Sequence, residues 1–582
     1  MRKTKIICTL GPASSDEATL REMMKAGMDV ARLNFSHGTY EEHRKKANMI
    51  KKLRQELNLH TALLLDTKGP EIRLGTFEGG CVALRAGQHF SLYMQEHRGD
   101  ENGVSVSFSD LYRDVTPGGT ILIDDGLIEL RVAATKPEQI DCTVVNGGTI
   151  SDRKGVNVPG AHLSIPFLSE KDRADIAFGV EEDFDFIAAS FTQSAADIVA
   201  IRDELERLGN PNIRIIAKIE NSAGVANANE ILEVSDGIMV ARGDMGVEIP
   251  MEEIPIVQKR LISRCFTEGK QVITATQMLE SMTRQPRPTR AEITDVANAI
   301  YDGTSAIMLS GETAAGQYPV EAVRTMARIA ERTESDIDYR ARFADRRQAS
   351  FSSVSNAISH ATCTTAQDLR ASAIITVTTT GTTARQISRF RPETPIIGCS
   401  PDLRTCRQMN MSWGVTPLYM EEKQNTDELF SAALEVTKEH GLVENGNVVV
   451  ITAGLPLGVP GTTNMLKVQL VGNVLVTGKG IGDQSVCGNL CVCADEDEAL
   501  HRFRPGEILV VPTVSPKSLD ILRHAKGVIC EHGGKNSYAS MACEILNIPG
   551  ICEAVGATRI LVNGTAVALD ARRGLVFTGQ VN

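Results

Sequence analysis

From Lys5 to about Asp336 the chain alternates short apolar runs with amphipathic stretches, and the alternation breaks only once. Eight runs, KIICTL, DVARLNFS, TALLLDT, FDFIAASF, IRIIAKIE, GIMVARGD, QVITATQ and SAIMLSGE, read as buried strands. Each is followed sooner or later by a helical period, such as DEATLREMMKAG ending at Gly27, TYEEHRKKANMIKKLRQEL, or AADIVAIRDELERLG with its glycine stop. Thr289 and Glu292, after two prolines, form a capping box that starts TRAEITDVANAIYDG. Eight β/α pairs predict a closed (β/α)8 barrel, while an open doubly wound sheet would have the same periodicity.

The polar residues favour the barrel. Nearly every run ends in charged or hydroxyl groups: Asn34 and Ser36, Asp66 and Thr67, Lys218 and Glu220, Arg242 and Asp244, Thr276, Ser310 and Glu312. Buried strands exclude such groups, so their concentration at carboxyl ends points to an active site at a barrel mouth, with ordinary loop polarity as the alternative.

The break, from about Gly69 to Ser169, is rich in Gly, Val and Thr with short alternating runs, the pattern of an inserted all-β unit that can act as a lid. After a polar connection around Arg340 to Ser353, a new α/β stretch (ASAIITVTTT, TPIIGCS, NVVVITAG) runs to about Gly472. VTGKGIGDQS reads as a linker, and the last hundred residues form a further unit with strands GEILVVP, KGVICEH and TAVALD around the helix SYASMACEIL. The expected division is a barrel at 1–68 and 170–338, a β lid at 69–169, an α/β domain at 339–472 and a final domain at 482–582.

Composition narrows the function. The chain has 582 residues, with 61 Lys+Arg against 73 Asp+Glu for a net charge of −12, and only 4% aromatics. That leaves no bulk positive field for nucleic acid or an anionic membrane, so an anionic substrate has to be held by a local cation cluster. The 13 cysteines are odd in number and scattered without paired C-x2-C spacing, which suits a reduced cytoplasmic protein. The N-terminal apolar run is too short for a signal-peptide core, and no segment reaches the length of a membrane span.

Alternate strand residues share a face, which groups Arg32 with Asn34 and Ser36, and Lys218 with Glu220. Glu220 and Asp244 can hold one Mg2+ or Mn2+ completed by water and substrate oxygens, and Lys218 can neutralise a transferring phosphoryl group. The plain alternative is a structural Lys–Glu pair. Asn34, Ser36, Asp66 and Thr67 offer oxygen ligands with one formal charge, which suits a monovalent cation.

The runs ARLNFSHG, LLLDTKGPEIR, DRKGVNVPG, AKIEN, MVARGDMGVE and ATQMLESM resemble the signatures of the pyruvate kinase family, in that family's order, over about residues 1–472. The resemblance implies a TIM barrel with a lid and an α/β regulatory domain, transferring phosphate from phosphoenolpyruvate to ADP, as a homotetramer. It places Arg32 and Lys218 on the phosphoryl group, Mg2+ on Glu220 and Asp244, the substrate carboxylate on the amides of Gly243 and Asp244, and Thr276 by the carbon that becomes a methyl group. Nucleotide contacts fall on Asn34, Phe35, Ser36, His37, Arg73 and Lys154. Glu71 is acidic where K+-independent members carry Lys, which implies a K+ requirement. Water near Thr276 is the expected proton source, with Ser310 and Glu312 as a candidate relay.

Thr378, Thr379, Thr380, Gly381, Thr382 and Thr383 lie between a strand and a helix, where hydroxyls and amides make a phosphate nest. This run resembles the family's loop for a phosphorylated effector, although a Thr-rich helix cap has the same composition. The last hundred residues resemble the swivelling, phosphohistidine-bearing mobile domain of phosphoenolpyruvate-utilising enzymes. Where that family has its phosphorylated His, this chain has Tyr538, and His532 precedes the glycines. The competing readings are a dikinase-like phosphotransferase, opposed by Tyr538, and a catalytically retired metabolite sensor, opposed by the intact Arg32, Lys218, Glu220, Asp244 and Thr276.

Overall fold

The computed structural model describes residues 1–161, 163–345, 353–455, 462–472, 474–534 and 536–578. They fall into two units: residues 1–352 with 378–421, and residues 353–377 with 422–582.

The first unit is built on a closed barrel of eight parallel strands. They are Lys5–Thr9, Val30–Asn34, Ala62–Asp66, Phe186–Ala189, Arg214–Ile219, Gly237–Ala241, Gln271–Ala275 and Ala306–Leu309. Each pairs with the next in sequence, and the ring closes with Lys5 opposite Ala306. The eight expected runs are the eight strands. Alternation sorts their side chains: Ile7, Val30, Leu64, Phe186, Ile216, Met239, Ile273 and Met308 fall in one apolar cluster, while Ile6, Leu63, Ile215, Val240 and Ile307 join helix residues in another.

The helices stop and start as their sequences dictate. Gly27 closes Glu17–Ala26 with φ 117°, a left-handed cap that a side chain would strain. The Thr289 and Glu292 capping box opens Arg290–Asp302, with Thr289 Oγ1 accepting from the Glu292 amide at 3.3 Å.

The insertion after the third strand is all-β: a seven-stranded and a two-stranded sheet over a core including Phe77, Phe90, Leu92 and Leu130. Residues 378–421 add the parallel strands Ile396–Ser400 and Val415–Tyr419 with helices Thr382–Arg389 and Leu403–Met409.

In the second unit, strand Ala373–Val377 runs parallel to Val448–Gly454, which pairs antiparallel with Thr463–Leu470. Its remainder is an eight-stranded sheet that contains the three expected C-terminal strands, with helix Tyr538–Leu546 packed nearby. The segment expected as a linker is different: Val474–Thr477 and Lys479–Ile481 are strands, pairing with Leu575–Thr578 and Gly550–Cys552. Its glycines, read as flexibility, allow close backbone approach, since a Cβ on Gly480 would overlap the Ala571 carbonyl. No helix among the described residues is long and apolar enough to cross a membrane.

Candidate active site

Six polar residues at the carboxyl end continue the inward parity of their strands: Thr9 after Ile7, Arg32 after Val30, Asp66 after Leu64, Ser190 after Ala188, and Lys218 and Glu220 after Ile216. Asp66 is their hub. Its Oδ2 accepts from Arg32 Nε at 2.6 Å, and its Oδ1 accepts from Lys218 Nζ at 3.0 Å and Ser190 Oγ at 3.0 Å. Arg32 Nη1 donates to Thr9 Oγ1 at 2.8 Å, which leaves Nη2 without a protein partner among the described residues. Lys218 Nζ also donates to Ser190 Oγ at 2.7 Å and lies 2.9 Å from Glu220 Oε1.

Burial would raise the Asp66 carboxyl, but Arg32 and Lys218 outweigh it and hold the group below its usual range. Burial would likewise strip the proton from Lys218, and Asp66 with Glu220 keep the ammonium charged instead. Glu220 is pushed up by burial, with Asp244 adding to it, against the pull of Lys218. Its Oε2 accepts from the Phe191 amide at 2.6 Å. A buried carboxylate pushed up by a half-buried second one has the chemistry of a divalent-cation site. Among the described residues no three His, Cys, Asp or Glu converge as ligands, so further positions on such a cation would fall to other oxygens.

Thr276 follows the seventh strand with φ 69°, and Gln277 with φ 52°, a conformation costly for a β-branched residue by about 1–3 kcal/mol. Arg242 holds it: Nη2 donates to Thr276 O at 2.6 Å and Nε to Ala275 O at 3.2 Å, while Nη1 pairs with Asp295 at 2.7 Å. The Gly243 amide, expected on a substrate carboxylate, donates to Thr276 Oγ1 at 2.8 Å. Glu312 is buried and raised by that burial, with its oxygens on the amides of Leu279 and Ser310 at 2.9 and 2.7 Å. Ser310 Oγ is buried without a hydrogen-bond partner among the described residues.

The insertion meets the mouth where Asn157 Nδ2 donates to Glu248 Oε1 at 3.1 Å, beside a cavity of about 70 Å3 lined by Glu71, Asp125, Phe191 and Asp244 among others. Arg73 pairs with Glu71 at 2.7 Å and donates to Arg153 O at 2.9 Å, and Lys154 pairs with Asp124 at 2.8 Å. Of the expected nucleotide residues, His37 is exposed, whereas the Phe35 ring is buried and stacks on His43 at 4.1 Å, so only its backbone can serve a ligand. Asn34 Oδ1 accepts from the Ser36 amide at 3.0 Å, and Thr67 Oγ1 from the Ser190 amide at 3.1 Å.

Away from the mouth, Gly381 has φ 74° at the start of helix Thr382–Arg389. Thr380 and Thr382 hydroxyls meet at 2.9 Å, and Arg385 turns back to Thr382 Oγ1 at 3.0 Å and Thr380 O at 3.2 Å. Burial first, and Arg214 next, pull Arg385 down to about 9, so it is no solvated face residue. Beside this loop lies a cavity of about 530 Å3 lined by Arg202, Arg214, Arg404, Arg407, Thr379 and Thr380, with further polar groups. In the second unit Tyr538 packs on its own domain's core, and His532 is exposed.

The sequence reading missed Thr9, Ser190, Arg242 as a brace for Thr276, and Asp295. Ser190 had the signal used for the others, a polar residue ending an apolar strand. The Arg242 and Asp295 pairing had none, because it joins residues 53 positions apart.

Three family models match the chain: pyruvate kinase, barrel domain, over residues 1–323; pyruvate kinase, alpha/beta domain, over 356–469; and PEP-utilising enzyme, mobile domain, over 503–574. A pyruvate kinase of Geobacillus stearothermophilus is 46% identical over 583 residues, covering 100% of this chain and 99% of that one. One of Staphylococcus aureus is 45% identical, with 100% of each chain covered. The crystal structure of a pyruvate kinase from Cryptosporidium parvum superposes with a TM-score of 0.77 at 40% identity, covering 81% of this chain and 96% of that one.

Proposed function

The chain belongs to the pyruvate kinase family of phosphotransferases, and on that premise we propose that its barrel mouth moves the phosphoryl group of phosphoenolpyruvate to ADP, as the glycolytic step that yields pyruvate and ATP. The observation that carries this reading is the buried Arg32, Asp66, Lys218 and Glu220 cluster.

Arg32 binds a phosphoryl oxygen through the Nη2 left over from Asp66 and Thr9. Lys218 has all three N–H bonds occupied by Asp66, Ser190 and Glu220, so it takes a phosphoryl oxygen only by giving one up. Glu220 is the partner with another charge to turn to, since Glu220 and Asp244 would hold Mg2+ or Mn2+. When bound, that cation supplies charge that stabilises the phosphoryl oxygens and the enolate left behind. Lys218 then stabilises charge in flight between donor and acceptor, the term on which phosphoryl transfer mostly depends. The amides of Gly243 and Asp244 orient the carboxylate, with Thr276 Oγ1 releasing the first of them. Ser310 and Glu312 carry a proton to water near Thr276, and the unpartnered Ser310 Oγ supports that relay.

K+ is assigned to Asn34, Ser36, Asp66 and Thr67, and ADP to Asn34, Ser36, His37, Arg73, Lys154 and the Phe35 backbone. A phosphorylated metabolite binds at Thr378–Thr383, where the neighbouring Arg side chains supply charge, and shifts affinity for phosphoenolpyruvate. The four-part domain division is retained, with 474–481 joined to the last part because its strands belong to that sheet. The final module does not carry phosphate. A cytoplasmic homotetramer completes the reading. A coupled assay of pyruvate formation from phosphoenolpyruvate and ADP, with and without sugar phosphates and AMP, tests it; no pyruvate from the folded protein overturns it.

A further inference from the structure

The C-terminal module holds a pair of thiols that the proposed kinase chemistry does not use. Cys530 ends strand Gly527–Cys530 and Cys552 ends the neighbouring strand Gly550–Cys552. The two strands are parallel, with Val528 opposite Gly550 and Ile529 opposite Ile551, so continuing the register sets Cys530 directly across from Cys552. Residues opposed in this way point to the same face about 4.8 Å apart, inside the roughly 4.4–6.8 Å Cα range that a disulfide spans. The sulfurs have met: Cys530 Sγ lies 3.0 Å from Cys552 Sγ, and Ser540 Oγ, on the intervening helix, lies 3.9 Å from Cys552 Sγ.

We propose that Cys530 and Cys552 are a peroxide-oxidised dithiol, a modification site that closes a covalent loop around the segment containing Tyr538. Cys552 is the attacking sulfur. The hydrogen bond from Cys530 makes the Cys552 thiol more acidic against the opposing effect of burial, with Ser540 and Ser537 adding to it, while the same bond pushes the Cys530 thiol up. The Cys552 thiolate attacks one oxygen of hydrogen peroxide; the S–O bond forms, the O–O bond breaks, and hydroxide leaves as water on taking a proton. Cys530 sulfur then attacks the Cys552 sulfenic sulfur, the S–S bond forms, the S–O bond breaks, and a second water leaves with the Cys530 proton. Two thiols are oxidised and one peroxide is reduced. Both sulfurs are buried, and access comes through the edge: the strand covering Cys552 is Lys479–Ile481, only three residues long, and Lys479 pairs directly with Cys552 in the sheet.

The test is peroxide treatment of the full chain, followed by tryptic mapping under non-reducing conditions. Cleavage after Lys526, Lys535 and Arg559 places Cys530 in one peptide and both Cys543 and Cys552 in the next. At a peroxide dose that oxidises the exposed Cys81, Cys530 and Cys552 should lose free-thiol signal together, and the two peptides should appear joined and lighter by two hydrogens. The link should persist in Cys543→Ser, vanish in Cys530→Ser, and leave there a Cys552 sulfenic acid that dimedone captures. Absence of the link in folded wild type once Cys81 is oxidised, or a link whose fragments map to Cys543, overturns the proposal. Those two readings need only the wild type, so a variant that fails to fold does not shield it.

Discussion

Replacing Lys218 by Met separates the charge that the reaction uses from the packing that the fold uses. Met fills nearly the same space, so no cavity opens. Asp66 keeps Arg32 and Ser190 as partners at 2.6 and 3.0 Å, and Glu220 keeps the Phe191 amide at 2.6 Å. Breaking a buried pair costs about 3–5 kcal/mol when the remaining charge stays uncompensated. Here burial and Asp244 already push Glu220 up, and without Lys218 it takes a proton more readily, so the charge left behind is relieved and the stability loss is expected to fall below that range. Turnover should fall on the order of 10³-fold or more, about 4 kcal/mol, the scale of losing a donor aimed at developing charge. Ser190→Ala is the companion, since it removes one hydrogen bond from Lys218 but leaves the ammonium, and about a tenfold loss is expected. Coupled steady-state assays and thermal melts on both variants decide the matter. Turnover of Lys218→Met within tenfold of wild type, in folded protein, refutes the assignment.

Asp236 is depressed to about 2: burial opposes the shift, but Arg214 and Arg202 outweigh it at 2.7 and 2.5 Å. Its stabilisation is therefore present above the unfolded value near 4 and is lost as pH falls through about 2, so Asp236→Asn should cost about 2 kcal/mol at pH 7; a deficit that closes by pH 5 counts against it. Activity should be low in tetraalkylammonium buffer free of K+ and Na+, and Glu71→Lys should relax the requirement; full activity without either ion excludes it. Thr382→Glu puts a negative charge beside Thr380 and should abolish activation by phosphorylated metabolites, and unchanged activation places the effector elsewhere. Labelled phosphoenolpyruvate should leave no label on Tyr538 or His532, and a folded chain ending at Gly472 should retain substantial turnover; stable label on Tyr538, acid-labile label on His532, or total loss of turnover in the folded truncation contradicts the non-carrier reading.

The barrel was legible because its strands are uniformly apolar and break off into polar residues at one end, which is a local signal. The polar cluster at the barrel mouth was legible for the same reason, except Thr9, which sits within its strand, and Ser190, which differs from its neighbours only by a hydroxyl. What stayed hidden depends on distant partners. The φ of Thr276 is set by Arg242, and the enclosure of Arg385 by the barrel's Arg214 and the loop before its helix. The strands at 474–481 escaped because glycine marks both flexible linkers and crowded backbones, and only the Ala571 carbonyl above Gly480 tells which.

Ring closure sets a timetable for synthesis. Lys5 finds its partner only in Ala306, so the first strand emerges from the ribosome with one edge bare and stays so until the eighth is made. At about 5–20 residues per second that interval is roughly 15–60 s. The insertion adds about a hundred residues to it but little to the entropy of closure, because doubling a loop costs only about 0.6 kcal/mol. Newly made chains therefore face their greatest hazard of aggregation before residue 309, and chaperone demand should fall sharply once that strand clears the exit tunnel.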